Sequence, residues 1–246
     1  EMDAMNAGCR VYYPDILRKE VRPLLHELKQ MGLQVALASS SSRECIEQVL
    51  TQCEIRELFD CIVSGHEFTH SKPDPEIYRF TMDKLGRKPE ECLIVEDSTY
   101  GVQAGTAAGG VVAALRDERF PFDQRAAQLH IDSLAELPAL AACGGKRIRA
   151  AFFDVDGTLL DFNAAEDGAL RDTLAHFSLP NTEDAVSQYH DINNALWAAL
   201  EQGKVRQDKL VIQRFEKLLA AFGVQGNPVE INDYYLTQLS QRADTF

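Results

Sequence analysis

The chain has 246 residues, with 25 Lys and Arg against 38 Asp and Glu, which gives a formal net charge of −13 at pH 7. A chain of this length can bury a core without metal or disulfide staples, either as one large α/β domain or as a core with a smaller domain. The acidic balance argues against binding to nucleic-acid backbones or to anionic membranes by charge, so we expect neither partner.

The six cysteines show no Cys-x-x-Cys pairing and lie mostly in apolar or helical contexts. This pattern predicts buried thiols in a reducing compartment rather than disulfides. The sequence also shows no signal peptide and no apolar run of membrane-spanning length. We therefore expect a cytoplasmic protein. The cysteines are Cys9, Cys45, Cys53, Cys61, Cys92 and Cys143.

Short apolar runs alternate with amphipathic patterns in the first part of the chain. The predicted strands are 34–38, 61–63, 92–95, 111–115 and 129–131, the last being weak. The predicted helices are 20–31, 43–53, 75–85, 102–108 and 134–142. Such alternation predicts a parallel sheet with helices on both faces.

A further apolar run, 150–153, follows a glycine-containing linker near 143–147. After residue 160 the spacing becomes helical throughout, with no convincing strand. The predicted helices there are 164–177, 183–201, 207–222 and 229–241. These patterns predict an α/β core over 17–160 and a small all-helical module over 161–246.

Acidic residues follow the last predicted strand, in the run FFDVDGTLL at 152–160. Asp154 ends the strand, so its carboxylate can project at the carboxyl edge of a parallel sheet, where such sheets bind ligands. A carboxylate there can attack phosphorus and form an aspartyl-phosphate. Asp156 could protonate the leaving oxygen and later deprotonate water. Gly157 allows the tight turn after them. An ordinary turn is the alternative for this motif alone.

Hydroxyl groups and a lysine follow two other strands. In ASSSS at 38–42, Ser39 and Ser40 are candidates for holding a phosphate at a helix N-terminus, and a serine N-cap is the alternative. In SKPDP at 71–75, Lys72 precedes a proline-initiated helix. A lysine held there could neutralise charge on a nucleophile and on a transferring phosphoryl group, and a solvated lysine is the alternative.

Two adjacent acids, Glu96 and Asp97, end the run LIVEDS at 93–98. Buried acids without a partner are costly, so we expect a cation nearby. Hard oxygen ligands suit octahedral Mg²⁺, which keeps water and phosphate as further ligands. The sequence thus predicts a Mg²⁺ site formed by Asp154, the backbone carbonyl of Asp156 and the acid pair, chiefly Asp97.

Together these motifs resemble the haloacid dehalogenase (HAD) superfamily. The resemblance implies a Rossmann-like core with a helical cap and a Mg²⁺-dependent phosphatase acting on a small phosphorylated metabolite, such as a nucleotide or sugar phosphate. The roles it implies are nucleophile for Asp154, acid and base for Asp156, phosphate-binding hydroxyl for Ser39, the family's lysine for Lys72, and metal acids for Glu96 and Asp97.

The order of the motifs differs from that family, in which Asp-x-Asp-Gly-Thr opens the chain. Residues 1–142 resemble β-phosphoglucomutase-like phosphatases, with 1–16 as a remnant of the last cap helix and hinge. Residues 148–246 resemble the start of a pyrimidine nucleotidase-like member. Two interpretations of this order stay open: the chain is one circularly permuted domain, or it is the junction of a tandem two-domain protein. A homodimer in which two chains exchange halves is a further possibility. A single active site requires strand 150–154 to lie between the strands that end at Ser39 and Glu96.

Other functions are open on the same motifs. The segment DFNAAED at 161–167 lacks the His-Leu-Lys-Gly-like run of the mutases, which disfavours a phosphomutase. Haloacid dehalogenases lack the second aspartate, so Asp156 argues against that reaction. A non-catalytic binding unit, whose halves mispair so that the motifs never converge, is the alternative from another class.

Overall fold

The structure, a computed structural model, describes residues 13–117, 122–143, 148–201 and 205–242. The chain divides into two compact units. One is Leu17–Asp161, and the other contains the described parts of residues 1–16 and 162–246. Within the described ranges, every helix is too short or too polar to span a bilayer.

The unit Leu17–Asp161 is built on one six-stranded sheet. Its strands are β1 Gln34–Ser39, β2 Cys61–Ser64, β3 Cys92–Glu96, β4 Val111–Leu115, β5 Leu129–Ile131 and β6 Ala150–Phe153. Its helices are α1 Val21–Gln30, α2 Arg43–Gln52, α3 Glu76–Leu85, α4 Thr99–Ala107 and α5 Leu137–Cys143. All neighbouring strands are parallel, in the order β2-β1-β6-β3-β4-β5. The predicted α/β class is confirmed.

Strand β6 lies in the middle of this sheet, although it comes last in the sequence. It pairs with β1 on one side, Val35 beside Ala151, and with β3 on the other, Leu93 beside Ala151. All four of its residues are completely buried, which explains why the run is apolar throughout rather than alternating. The predicted position of strand 150–154 is confirmed, and a single chain supplies the strand and both neighbours.

Two serine caps set the beginnings of helices at the carboxyl edge of the sheet. Ser42 Oγ accepts from Cys45 N–H at 3.3 Å and caps α2. Ser98 Oγ accepts from Gly101 N–H at 3.0 Å and caps α4. Because Ser98 satisfies an N–H of the first turn, α4 begins at Thr99, earlier than the predicted residue 102.

The regular secondary structure described in the second unit is all helical. Its helices are α6 Phe162–His176, α7 Glu183–Glu201, α8 Gln207–Phe222 and α9 Pro228–Arg242. An apolar cluster from all four helices forms its core, centred on Leu170, Tyr189, Phe215 and Tyr235. The predicted remnant of a cap helix falls mostly on residues 1–12, and most of the predicted linker on 144–147, both outside the described residues.

Candidate active site

Asp154 stands directly after β6, between the ends of β1 and β3. Its backbone N–H donates to the carbonyl of Val95 at 3.3 Å, which continues the ladder with β3 for one more residue. The side chain is buried, with the whole residue 8% exposed. The carboxylate therefore lies at the carboxyl edge of the sheet, the position that the sequence predicted for it.

Lys72 joins three strand ends through one ammonium group. Its Nζ donates to Ala38 O at 3.0 Å, to Glu96 Oε1 at 2.6 Å and to Asp154 Oδ1 at 2.7 Å. These acceptors stand at the ends of β1, β3 and β6. An ammonium has three donors, so this set fixes the position of Nζ. The alternative of a solvated lysine is wrong, because the side chain is only 7% exposed.

Glu96 is fully buried and accepts hydrogen bonds from three side chains. Besides Lys72, the Tyr78 hydroxyl donates to Oε1, and Ser98 Oγ donates to Oε2 at 3.3 Å. Gly101 is required beside it, since a Cβ there would lie 1.9 Å from Glu96 Oε2. Tyr78 was not among the site residues predicted from the sequence. A tyrosine on the buried face of a helix needs a hydrogen-bond partner for its hydroxyl, and this requirement could have indicated a polar contact for Tyr78.

Asp97 is held by the turn that follows β6. Its Oδ1 accepts from Thr158 Oγ1 at 2.9 Å, and its backbone carbonyl accepts from Gln124 Nε2. Gly157 has φ of +76°, and a Cβ on it would lie 2.2 Å from Asp97 Oδ2. Both observations require glycine at that position. The two aspartate motifs, far apart in sequence, therefore contact each other closely.

Glu96, Asp97 and Asp154 form a cluster in which one carboxylate oxygen of each lies within 4.8 Å of the others. Burial raises the pKa of Asp154 to about 7, although Lys72 acts in the opposite direction. Burial, and then the charges of Glu96 and Asp154, raise the pKa of Asp97 well above its usual range. One lysine does not balance three buried carboxylates, and the donor set is all oxygen. The cluster therefore fits a divalent metal ion.

Lys72 stays protonated at this cluster. Burial alone would lower its pKa, but the carboxylates of Asp154 and Glu96 outweigh burial and hold that pKa well above the usual value for lysine. A permanent positive charge thus lies beside the carboxylate of Asp154, which favours its ionised form.

Asp156 contacts the loop that follows β1. Ser41 Oγ donates to Asp156 Oδ2 at 2.8 Å, and Ser64 Oγ holds the same loop by donating to Ser41 O at 2.6 Å. Asp156 is partly exposed, in contrast with the buried Asp154. Ser41 was part of the hydroxyl cluster noticed in the sequence, but its spacing alone did not show which serine contacts Asp156.

The predicted phosphate-binding serines have different environments. Ser39 is 1% exposed, and its Oγ accepts from the N–H of Ser41 at 3.2 Å. Ser40 is exposed. The N-cap of α2 is Ser42, so capping does not explain either residue. Ser39 is the last residue of β1, and Ser40 begins the loop that follows it. Ser39 directly follows Ala38, whose carbonyl accepts from Lys72.

Comparison with known proteins agrees with this architecture. Residues 16–115 match the family model described as haloacid dehalogenase-like hydrolase. The segment 16–115 is therefore similar to haloacid dehalogenase-like hydrolases, and the parallel sheet with acids at its strand ends agrees with that similarity.

Individual relatives match parts of the chain. A putative HAD-hydrolase YfnB from Bacillus subtilis is 42% identical over 90 residues, which are 37% of this chain and 38% of the relative. Hexitol phosphatase B from Escherichia coli is 37% identical over 136 residues, 50% of this chain and 60% of the relative. The crystal structure of CbbY from Rhodobacter sphaeroides with phosphate has 31% identity and a TM-score of 0.46, covering 49% of this chain and 55% of that one. The chain thus spans less than two thirds of the length of each.

Proposed function

We propose that the protein is a Mg²⁺-dependent phosphatase that hydrolyses a small phosphate monoester through an aspartyl-phosphate on Asp154. The observation that carries this proposal is the position of Asp154, held by Lys72 at the sheet edge beside the metal-binding acids. A buried carboxylate paired with a permanent cation is suited to nucleophilic attack.

In the first step, an Asp154 carboxylate oxygen attacks phosphorus, and the bond between phosphorus and the ester oxygen breaks. The leaving oxygen takes a proton from Asp156. Lys72 offsets negative charge on Asp154 and on the transferring group. In the second step, the oxygen of a water molecule attacks phosphorus while Asp156 takes a proton from that water, and the bond between phosphorus and the Asp154 carboxylate oxygen breaks. This releases inorganic phosphate and regenerates both aspartates.

Residues of this chain would hold the metal ion as follows. Asp154 and Asp97 offer carboxylate oxygens, and the backbone carbonyl of Asp156 is the third proposed ligand. Glu96 already accepts from Lys72, Tyr78 and Ser98, so we assign it chiefly to holding Lys72. When bound, Mg²⁺ would withdraw charge from the phosphoryl oxygens.

The loop after β1 is the proposed phosphate site. Ser39 and Ser40 precede α2, whose N-terminal N–H groups and partial positive charge favour an anion. Lys72 contributes its charge to the same group. The helical unit, 161–246 with 1–16, is the proposed cap that selects the substrate, joined to the core 17–160 as the resemblance implies.

The substrate class is a small phosphorylated metabolite. The name of the relative hexitol phosphatase B favours sugar or sugar-alcohol phosphates over nucleotides among the candidates. Because one chain supplies all the strand ends, the site needs no exchange of halves between chains. The distances also contradict the alternative in which the motifs never converge.

The experiment is hydrolysis of p-nitrophenyl phosphate by the purified chain, with Mg²⁺ and with EDTA. We expect activity that requires Mg²⁺ and falls to background in Asp154→Asn. The matched control is Asp132→Asn, because Asp132 is an exposed aspartate paired with Arg116. Full activity in Asp154→Asn, or equal activity in EDTA, would refute the proposal.

A further inference from the structure

Arg18 contacts a continuous stretch of backbone after the DVDG motif. Its own N–H donates to Leu159 O at 3.0 Å, its Nε to Thr158 O at 3.1 Å and its Nη2 to Gly157 O at 2.9 Å. Its Nη1 lies 3.5 Å from Asp161 Oδ2. Three consecutive carbonyls and one carboxylate thus accept from a single residue, whose side chain is 17% exposed.

This set of contacts is specific to arginine. The planar guanidinium presents its N–H groups in a fixed fork, so two carbonyls at set positions can be held at once. Backbone carbonyls in a partly buried turn need hydrogen-bond partners, and the guanidinium of Arg18 supplies donors to those of Gly157 and Thr158. Leu17 forms an antiparallel bridge with Leu160, which brings Arg18 alongside the turn.

The contacted turn carries side chains of the proposed reaction. Gly157 directly follows Asp156, and Thr158 donates to the carboxylate of Asp97. Asp156 itself also accepts a hydrogen bond from Ser41 Oγ. Fixing the carbonyls of Gly157 and Thr158 therefore restricts where the Asp156 carboxyl can be.

We propose that Arg18 is a positioning residue that holds the turn after β6, so that Asp156 is placed for proton transfer to the leaving oxygen. The inference rests on the proposed function. A positioning role for Arg18 can be distinguished from a purely structural one. A misplaced Asp156 slows substrates whose leaving group needs a proton more than substrates whose leaving group does not. A small displacement of an acid costs much of its contribution to the rate.

Two substrates of similar size distinguish a positioning role of Arg18 from a purely structural one. Phenyl phosphate has a poor leaving group that needs a proton, whereas p-nitrophenolate leaves without one. The ratio of kcat/KM for p-nitrophenyl phosphate to that for phenyl phosphate thus reports the use of the acid in the first step. Loss of folded protein lowers both values equally and leaves the ratio unchanged.

The experiment measures this ratio in Arg18→Met, Arg18→Lys and Asp156→Asn. We expect the ratio to rise about tenfold or more in Arg18→Met, through selective loss on phenyl phosphate, and to rise less in Arg18→Lys, which keeps one donor. Arg22→Met is the control, because Arg22 pairs with Glu54 at 3.5 Å on the surface. That variant should keep both rates.

The outcomes distinguish this inference from the proposed function. An unchanged ratio in both Arg18 variants, with a raised ratio in Asp156→Asn, would overturn the role of Arg18 alone. An unchanged ratio in Asp156→Asn would overturn the acid role of Asp156 itself. If Arg18→Met does not fold, the ratio in Arg18→Lys decides the question.

Discussion

Lys72 donates a hydrogen bond of 2.7 Å to Asp154, although the two residues are 82 positions apart. The pair joins a motif of the first part of the chain to the motif of the last strand. Because β6 lies between β1 and β3, the contact needs no second chain. The same lysine contacts Glu96, so the buried acids depend on it for charge compensation.

Removing this charge is expected to destabilise the fold. Lys72→Met leaves buried carboxylates without their cation, and breaking a buried ion pair from one side costs about 3–5 kcal/mol. Chemical denaturation in EDTA measures the free energy of unfolding. The control is Lys29→Met, because Lys29 contacts Asp60 at 2.6 Å but is 34% exposed. The control should lose about 1 kcal/mol or less. Equal losses in the two variants would contradict the role of Lys72.

Tyr78→Phe tests the hydrogen bond from the buried hydroxyl to Glu96. Loss of one hydrogen-bond donor to this buried carboxylate should lower the free energy of unfolding by about 1–3 kcal/mol. We also expect kcat to fall while KM changes little. Lys72 and the Tyr78 hydroxyl both donate to Glu96 Oε1, so loss of the hydroxyl lets the Lys72 ammonium shift. Steady-state kinetics and denaturation measure the two effects. Unchanged kcat and stability would show that the hydroxyl has no role.

Asp97→Asn tests the metal assignment. Asparagine keeps an oxygen for the hydrogen bond from Thr158, so the fold should remain nearly intact. The loss of one ligand charge should raise the Mg²⁺ concentration needed for half-maximal activity and lower the maximal rate. A Mg²⁺ titration of phosphatase activity measures both. The same Mg²⁺ dependence as the wild type would contradict the assignment.

The pH dependence of stability without metal follows from the raised pKa of Asp154. Its pKa is about 7 in the folded protein and 3.8 as the ordinary value, so the folded state binds the proton more tightly. Between these values, stability falls as pH rises, because the carboxyl must ionise in a buried site. The measurement is the melting temperature of Asp154→Asn minus that of the wild type, both in EDTA. This difference should increase from pH 5 to pH 8, because only the wild type must ionise the buried carboxyl. A constant difference would contradict the burial of Asp154.

Much of the sheet and its edge could be predicted from the sequence. Continuous apolar runs such as 150–153 indicated buried parallel strands, and Asp154, Glu96 and Asp97 were recognised because acids at strand ends share one edge. The contacts of Ser41, Tyr78 and Arg18 could not be predicted. They depend on side-chain direction and loop geometry, which apolar periodicity does not encode. Arg18 in particular has no local signal, since its partners lie about 140 positions away.

The proposed mechanism requires that Asp154 becomes phosphorylated. The most direct measurement is a crystal structure of the chain with Mg²⁺ and BeF₃⁻, a mimic of a phosphoryl group on a carboxylate. We predict beryllium bonded to an Asp154 carboxylate oxygen, with its fluorines within hydrogen-bond reach of Lys72 and the loop at Ser39. Beryllium fluoride bound to another side chain, with the Asp154 carboxylate unmodified, would contradict the account.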